Sequence, residues 1–476
     1  MSEKSLSIEA FQSIQIDAAS YNGQKTIVTV EQEIPNERGS QKLATHPSEA
    51  PDGGLKAWFI VLGAALVLFS TLGFVNSWGV FQEYYEEDLL RHTSPSNIAW
   101  IGSTQYALSY LPSLASGRMF DLGYFKIPFY VASCTLVACT FLTAECTQFW
   151  QFFLTQGVGI GLCSGTMFAP TVIIVSQWFS RRRGLAMAIG AVGTPLGSIV
   201  LPVAAQNLIP LIGFRWTVRV FGFIMIATLG TANLMKRRLP PVNVHGGLFN
   251  LKAFRNRAYT MYCISGIMIV LGLYTGTTVV LVAVAPDILV SSELTYISVS
   301  AVAIGVSKNF AFYILAIANA ASTLRVSFGL IADKIGALNT MAVLTALAGI
   351  MTIAWPFAKN ESQLIAIAAT YGYVLHLFTA RCLTHPSRFS TGAYVTLCSI
   401  PAVAMGKMDD AGRRVGMFLS LIGLGGIAGP PISGAISTAT GGFVAAGYFA
   451  GGSIIFGVLL LLVARYLHLG RLWGKF

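Results

Sequence analysis

Apolar stretches long enough to span a bilayer recur along the chain, separated by short polar turns, and this alternation outweighs every other signal in the sequence. At a rise of 1.5 Å per residue, about 20 apolar residues cross roughly 30 Å of hydrocarbon as a helix. The pattern predicts twelve spans, near 57–80, 98–117, 127–146, 150–176, 184–206, 216–235, 259–285, 309–331, 338–357, 363–400, 415–437 and 443–466. The fold class is therefore an all-α membrane protein with twelve transmembrane helices. Lys and Arg are unevenly shared among the connections. Those after even-numbered spans carry 15, including Arg181 to Arg183, while those after odd-numbered spans carry five together with the acidic run Glu83, Glu86, Glu87 and Asp88. The bias puts the even loops and both termini in the cytosol.

Composition agrees: at 54% hydrophobic and 11% charged, a water-soluble globule is excluded. The formal charge of +11 includes a first stretch of 50 residues with seven acids and four bases, polar and without a signal-type apolar core. We expect 1–50 to be a disordered cytosolic tail. The remaining bases lie in short loops rather than on one face, so nucleic acid is not an expected partner. The cysteines show neither CxxC nor His/Cys ligand spacing, so no disulfide frame, metal site or cofactor is expected.

A repeat is visible in the loops. GRMFD after the second span (Gly117, Arg118, Asp121) is matched by GLIADK after the eighth (Gly329, Asp333, Lys334), an offset of 212 from Asp121 to Asp333. Two six-span halves follow: 51–235 and 259–476, joined by a cytosolic linker at 236–258. A glycine lets a helix end turn sharply, and a short acid beside a base can cap a neighbouring helix N-terminus and pair across the interface between the halves. These residues, with Arg182, Arg183 and Arg414 at the matching loops, are candidates for gating. Glycines at i, i+4 spacing in the fourth and fifth spans suit close helix packing, with or without sliding of one half on the other. Pro170, Pro195, Pro202, Pro430 and Pro431 can bend helices around a cavity or simply bend them.

Together these motifs resemble the major facilitator superfamily. Finer strings resemble its monocarboxylate porter family, fungal branch: PDGGLKAW before the first span (Asp52, Gly53, Gly54, Trp58), WFSRRRGLAMAIGAVGTPLG at the fifth, and RVGMFLSLIGLGGIAGPPISG in the eleventh. The resemblance implies secondary transport by alternating access, with the site at mid-membrane between the halves.

Within the spans the clear ionisable candidate is Arg325, eight residues before Asp333 and so about 12 Å into the membrane. Its planar fork suits a carboxylate, and the resemblance implies a substrate-binding Arg in this span; a snorkelling Arg is the alternative. Animal relatives carry a Lys in the first span and an Asp one turn before that Arg, where Asn76 and Ala321 stand here. Lactate-type proton symport is therefore not expected. Asn76, Trp78 and Phe81, then Tyr106 and Tyr110, then Asn319 and Ser322, are candidates for lining a pocket for a larger, less polar ligand. Each aromatic also fits plain packing.

The tenth span is too long and holds His376, Arg381, His385 and Arg388. The repeat offset grows to 231 from Arg183 to Arg414, which points to an insert at about 373–387. We expect a retained intron, with a genuine extra loop as the alternative.

The expected function is a secondary active transporter of a small organic acid or amphipathic metabolite, with efflux of a secondary metabolite favoured. Uptake of a monocarboxylate or a vitamin such as riboflavin is the alternative. A transporter-like sensor is the reading from another class. No HExxH, nucleophile elbow or P-loop indicates an enzyme or direct ATP drive. The expected partners are a small anionic or amphipathic substrate and the bilayer, and the expected setting is a monomer in the plasma membrane.

Overall fold

The computed structural model describes residues 50–239, 247–282, 326–354, 394, 397–406, 408–440, 444–471 and 474. The tail at 1–49, Asn319, Ala321, Arg325 and the suspected insert at 373–387 lie outside them. Among the described residues the secondary structure is entirely helical. Helix α1 (Leu55–Leu68) runs through a π-turn (Phe69–Gly73) and a break at Asn76 and Ser77 into α2 (Trp78–Tyr84) and a second π-turn (Tyr85–Leu89). The first span is thus longer than predicted, and the acidic run Glu86 to Asp88 is helical rather than looped. Next come α3 (Pro95–Leu108), α4 (Ser113–Asp121), α5 (Lys126–Thr143), α6 (Phe149–Phe152), a π-segment (Phe153–Ile160), α7 (Gly161–Trp178), α8 (Arg183–Ala191) and α9 (Gly193–Ala232). After the linker follow α10 (Arg257–Val282), α11 (Val326–Ile335), α12 (Ala337–Ala354), α13 (Ser399–Ala404), α14 (Ala411–Thr440) and α15 (Val444–Leu469). Six helical stretches among the described residues are long and apolar enough to cross a membrane.

Local chemistry explains the breaks. Pro112 brings no N–H and separates α3 from α4. The predicted loop between the fifth and sixth spans contracts to a single residue, Gly213 (φ 78°, ψ 162°), a backbone conformation almost confined to glycine. The helices extend to meet there, and 208–212 (LIPLI) is apolar throughout.

The N-terminal helices pack around an aromatic cluster in which Phe81 meets Phe74, Tyr85, Phe214 and Phe221 at centroid distances of 5.4 to 6.4 Å. The outer faces carry exposed Leu62, Trp100, Tyr130, Phe223 and Leu459, an apolar surface that suits lipid rather than water.

Candidate functional site

The two G-x-x-x-D motifs converge on matching contacts at the basic-loop end of the molecule. Asp121, at the end of α4, accepts hydrogen bonds from the N–H groups of Gly412 and Arg413, both 2.8 Å, at the first turn of α14. Asp333, near the end of α11, accepts from the N–H groups of Gly184 (2.7 Å) and Leu185 (2.9 Å) at the first turn of α8. Each carboxylate satisfies two N–H groups that a helix start leaves free, and sits at the positive end of its dipole. Both contacts join an N-terminal helix to a C-terminal one.

Glycines permit the approach. A methyl at Gly412 would collide with the carbonyl oxygen of Gly117, and one at Gly329 with that of Gly184. The crossing α4/α14 is therefore backbone on backbone, and so is α11/α8.

A second set of bonds holds the loops that receive these acids. Asp52 Oδ1 accepts from the N–H groups of Ser180 (2.6 Å), Arg181 (2.8 Å) and Arg182 (3.3 Å), immediately before α8. Burial pushes its carboxyl up, but those three donors and the Arg181 charge together hold it below the ordinary value of 3.8. Asp52 and Gly54 both adopt positive φ, and Trp58 packs on Phe179 at 5.3 Å. Gly53 stands in open space. Arg183 Nε donates to the Phe179 carbonyl at 3.1 Å. On the opposite side Asn250 Nδ2 donates to Asp410 Oδ2 at 3.0 Å, and Arg414 Nη1 bonds the other oxygen of Asp410. Arg414 also donates to the Ala402 and Val403 carbonyls at the end of α13, both 3.1 Å. Arg118 is buried beside Asp121, whereas Arg182 and Lys334 are exposed. The start of the linker is tied down too. Arg237 bonds the Phe120 carbonyl and Arg238 the Gln177 carbonyl (3.0 Å), guanidinium ions at two helix C-termini.

Deeper in, the two sets of helices meet along a narrow, nearly closed crevice whose free volume, about 10 Å³, is no more than a single water fills. Tyr106, Tyr110 and Phe168 form one wall; Val270, Tyr394 and Ile422 are prominent in the other. The hydroxyls of Tyr106 and Tyr110 are 3.4 Å apart. Below them, Ser420 Oγ donates to the Leu111 carbonyl (2.8 Å) and accepts from the Leu114 N–H (3.1 Å). It thus occupies the backbone gap opened around Pro112.

Of the residues expected to line a pocket, Tyr106 and Tyr110 meet in this crevice. Asn76 is half-buried at the break in the first span and does not line it. Trp78 and Phe81 are packed among N-terminal helices, with Trp78 Nε1 donating to Gln82 Oε1 at 2.7 Å. Tyr394, Ser420, Asn250 and Asp410 escaped the sequence reading. Single hydroxyls and amides give no periodic signal, although Pro112 in mid-span hinted at carbonyls needing a partner.

Residues 59–406 match the profile of the Major Facilitator Superfamily. The chain is 30% identical over 438 residues to the aspyridones efflux protein apdF of Emericella nidulans, covering 90% of this chain and 83% of that one. It is 32% identical over 389 residues to the MFS-type transporter dbaD of the same organism, covering 81% and 80%. In fold it is similar to the human organic anion transporter MFSD10, with a TM-score of 0.62 at 15% identity, covering 86% of this chain and 100% of that one. The Escherichia coli fucose:proton symporter FucP gives a TM-score of 0.61 at 13% identity, with coverage of 86% and 98%.

Proposed function

The chain belongs to the Major Facilitator Superfamily, a multi-pass membrane transporter of small molecules rather than an enzyme, and from that premise we propose that it exports an amphipathic secondary metabolite by alternating access. The observation that carries this reading is the crevice between the two sets of helices, closed beneath by Ser420 and by the Asp121 and Asp333 caps. Its described walls are apolar and aromatic with a few hydroxyls, which suits a largely apolar molecule with polar groups at its edge. The printed name of the apdF relative, an efflux protein, supports the outward direction. Arg325, expected at depth in the eighth span, would receive an acidic group, and Asn319 one turn and a half earlier would line the same path.

In this reading the DGG and RRRG strings support the fungal branch of the monocarboxylate porters, and the protein works as a monomer in the plasma membrane. Gly117, Asp121, Gly329 and Asp333 form the cytosolic gate, which parts when the substrate enters from inside. The test is untargeted metabolite profiling of cells and medium with the gene deleted or overexpressed, repeated with Arg325→Ala and Tyr110→Ala. One compound should build up inside the deletant and return to the medium with the native protein but with neither variant. Unchanged profiles with reduced uptake of a labelled monocarboxylate would overturn export in favour of import.

A further inference from the structure

Two carboxylates grip one short loop, and they come from different places. Asp333 arrives from the C-terminal helices and takes the N–H groups of Gly184 and Leu185. Asp52 belongs to the same set of helices as the loop and takes the N–H groups of Ser180, Arg181 and Arg182, directly upstream. Consecutive N–H groups thus point into two adjoining anion nests, with Arg183 between them and its Nε turned back onto the Phe179 carbonyl. Trp178, in turn, donates from Nε1 to the Lys236 carbonyl at 3.1 Å, fixing the other end of the loop.

The other aspartate contact of the same gate has a brace in a related position. Asp121 takes the N–H groups of Gly412 and Arg413, while Asn250, in the segment leading to α10, holds Asp410, the residue before α14. Asp52 stands three residues ahead of α1, and Asn250 stands at the N-cap of the short 3-10 helix (Leu251–Arg255) that leads into α10. In both cases the chain leading into the first helix of a set holds the loop that accepts the other set's aspartate.

We propose that Asp52, supported by Gly54 and Trp58, is a positioning residue of the cytosolic gate. It keeps the 178–185 loop in the form that presents Gly184 N–H and Leu185 N–H to Asp333, and Asn250 does the same for the Asp121 contact. Rocking breaks the Asp333 bonds but leaves the Asp52 bonds intact, because the latter lie wholly within one set of helices. The receiving nest is then already shaped when Asp333 returns, so closure costs less ordering of the loop. Without the brace, closing must also order residues 180–182.

The inference rests on the alternating-access reading, and its test needs no substrate. Ala332, buried beside Gly184, becomes the sole cysteine in the full-length protein reconstituted in lipid vesicles, and its alkylation rate by a polar maleimide reports gate opening. Asp52→Ala should raise the rate about fivefold to tenfold, the scale of one ordinary net hydrogen bond, and Asp333→Ala by at least as much. The double variant should exceed Asp333→Ala by less than twofold, because both act through one loop. Asp52→Glu should restore most of the native rate. If Asp333→Ala raises labelling while Asp52→Ala does not, or if the two effects multiply, the positioning role is overturned. If Asp333→Ala itself changes nothing, the gate reading fails first. Asp52→Asn, which keeps one acceptor oxygen, serves if the alanine variant does not fold, and must give an intermediate rate; a native rate overturns the proposal.

Discussion

Replacing Gly412 by alanine tests the closed gate at its tightest point. The added methyl would overlap the Gly117 carbonyl oxygen and Asp121 Oδ1. The first obstacle is backbone in the middle of a helix, so no rotamer change relieves it; α4 and α14 must part. Parting lengthens the two 2.8 Å bonds from Gly412 and Arg413 to Asp121. Overpacking of this kind costs about 1–3 kcal/mol, and the cost falls on the closed arrangement alone, since the methyl is free once the halves rock apart. That corresponds to a shift of roughly 5- to 150-fold toward the cytosol-open form. Spin labels at the exposed positions Leu122 and Ile335 report the separation across this end by pulsed electron resonance. Gly412→Ala should move most of the distance distribution to the longer component and slow transport. Gly117→Ala should behave alike, because its methyl would meet the Gly412 carbonyl and lie 3.3 Å from Gly416 Cα. Gly230→Ala, with open space around it, is the control and should leave the distribution unchanged. A native distribution in Gly412→Ala would refute the claim that closure depends on this backbone contact.

Other consequences are independent of that crossing. Gly213→Ala meets no atoms but must adopt φ 78°, so it should destabilise the protein by about 1–3 kcal/mol, read as a lower midpoint in thermal unfolding in detergent. Ser420→Ala removes the donor to the Leu111 carbonyl and the acceptor for the Leu114 N–H; an opening shift of about 1–2 kcal/mol in the same spin-label pair is expected. Burial pushes the Asp121 carboxyl up to about 6, outweighing the N–H donors of Arg413 and Gly412 and the nearby guanidinium charges. In the open gate, hydrated, it returns toward its ordinary 3.8. The closed gate therefore binds the proton more tightly: this contribution is complete below about pH 4 and is lost as pH rises through about 6. Closed populations should grow between about pH 7 and about pH 5, and Asp121→Asn should flatten the dependence.

The span pattern, the orientation and the paired G-x-x-x-D motifs were legible in the chain because each rests on short-range regularity. A run of apolar residues pays its desolvation locally, a loop charge is read where it stands, and a repeated motif declares itself by its offset. Membership of the superfamily followed from those features. The roles of particular polar residues were not legible in the same way. Tyr106 and Tyr110 could be singled out as aromatics in mid-span, but only packing separates them from Trp78 and Phe81, which a neighbouring helix covers. Span ends were misjudged where the deciding residue was a single glycine, as at Gly213, or where a helix carried its acids outward, as at Glu86 to Asp88. That the chain lies in a membrane as a bundle of helices with its bases on one side is written in its residues, since hydrophobicity and charge act through solvent and need no partner. Which N–H groups meet Asp52, Asp121 and Asp333 emerges with the packing, because a hydrogen bond depends on where two distant segments come within about 3.5 Å, and no pattern along one segment contains the position of the other.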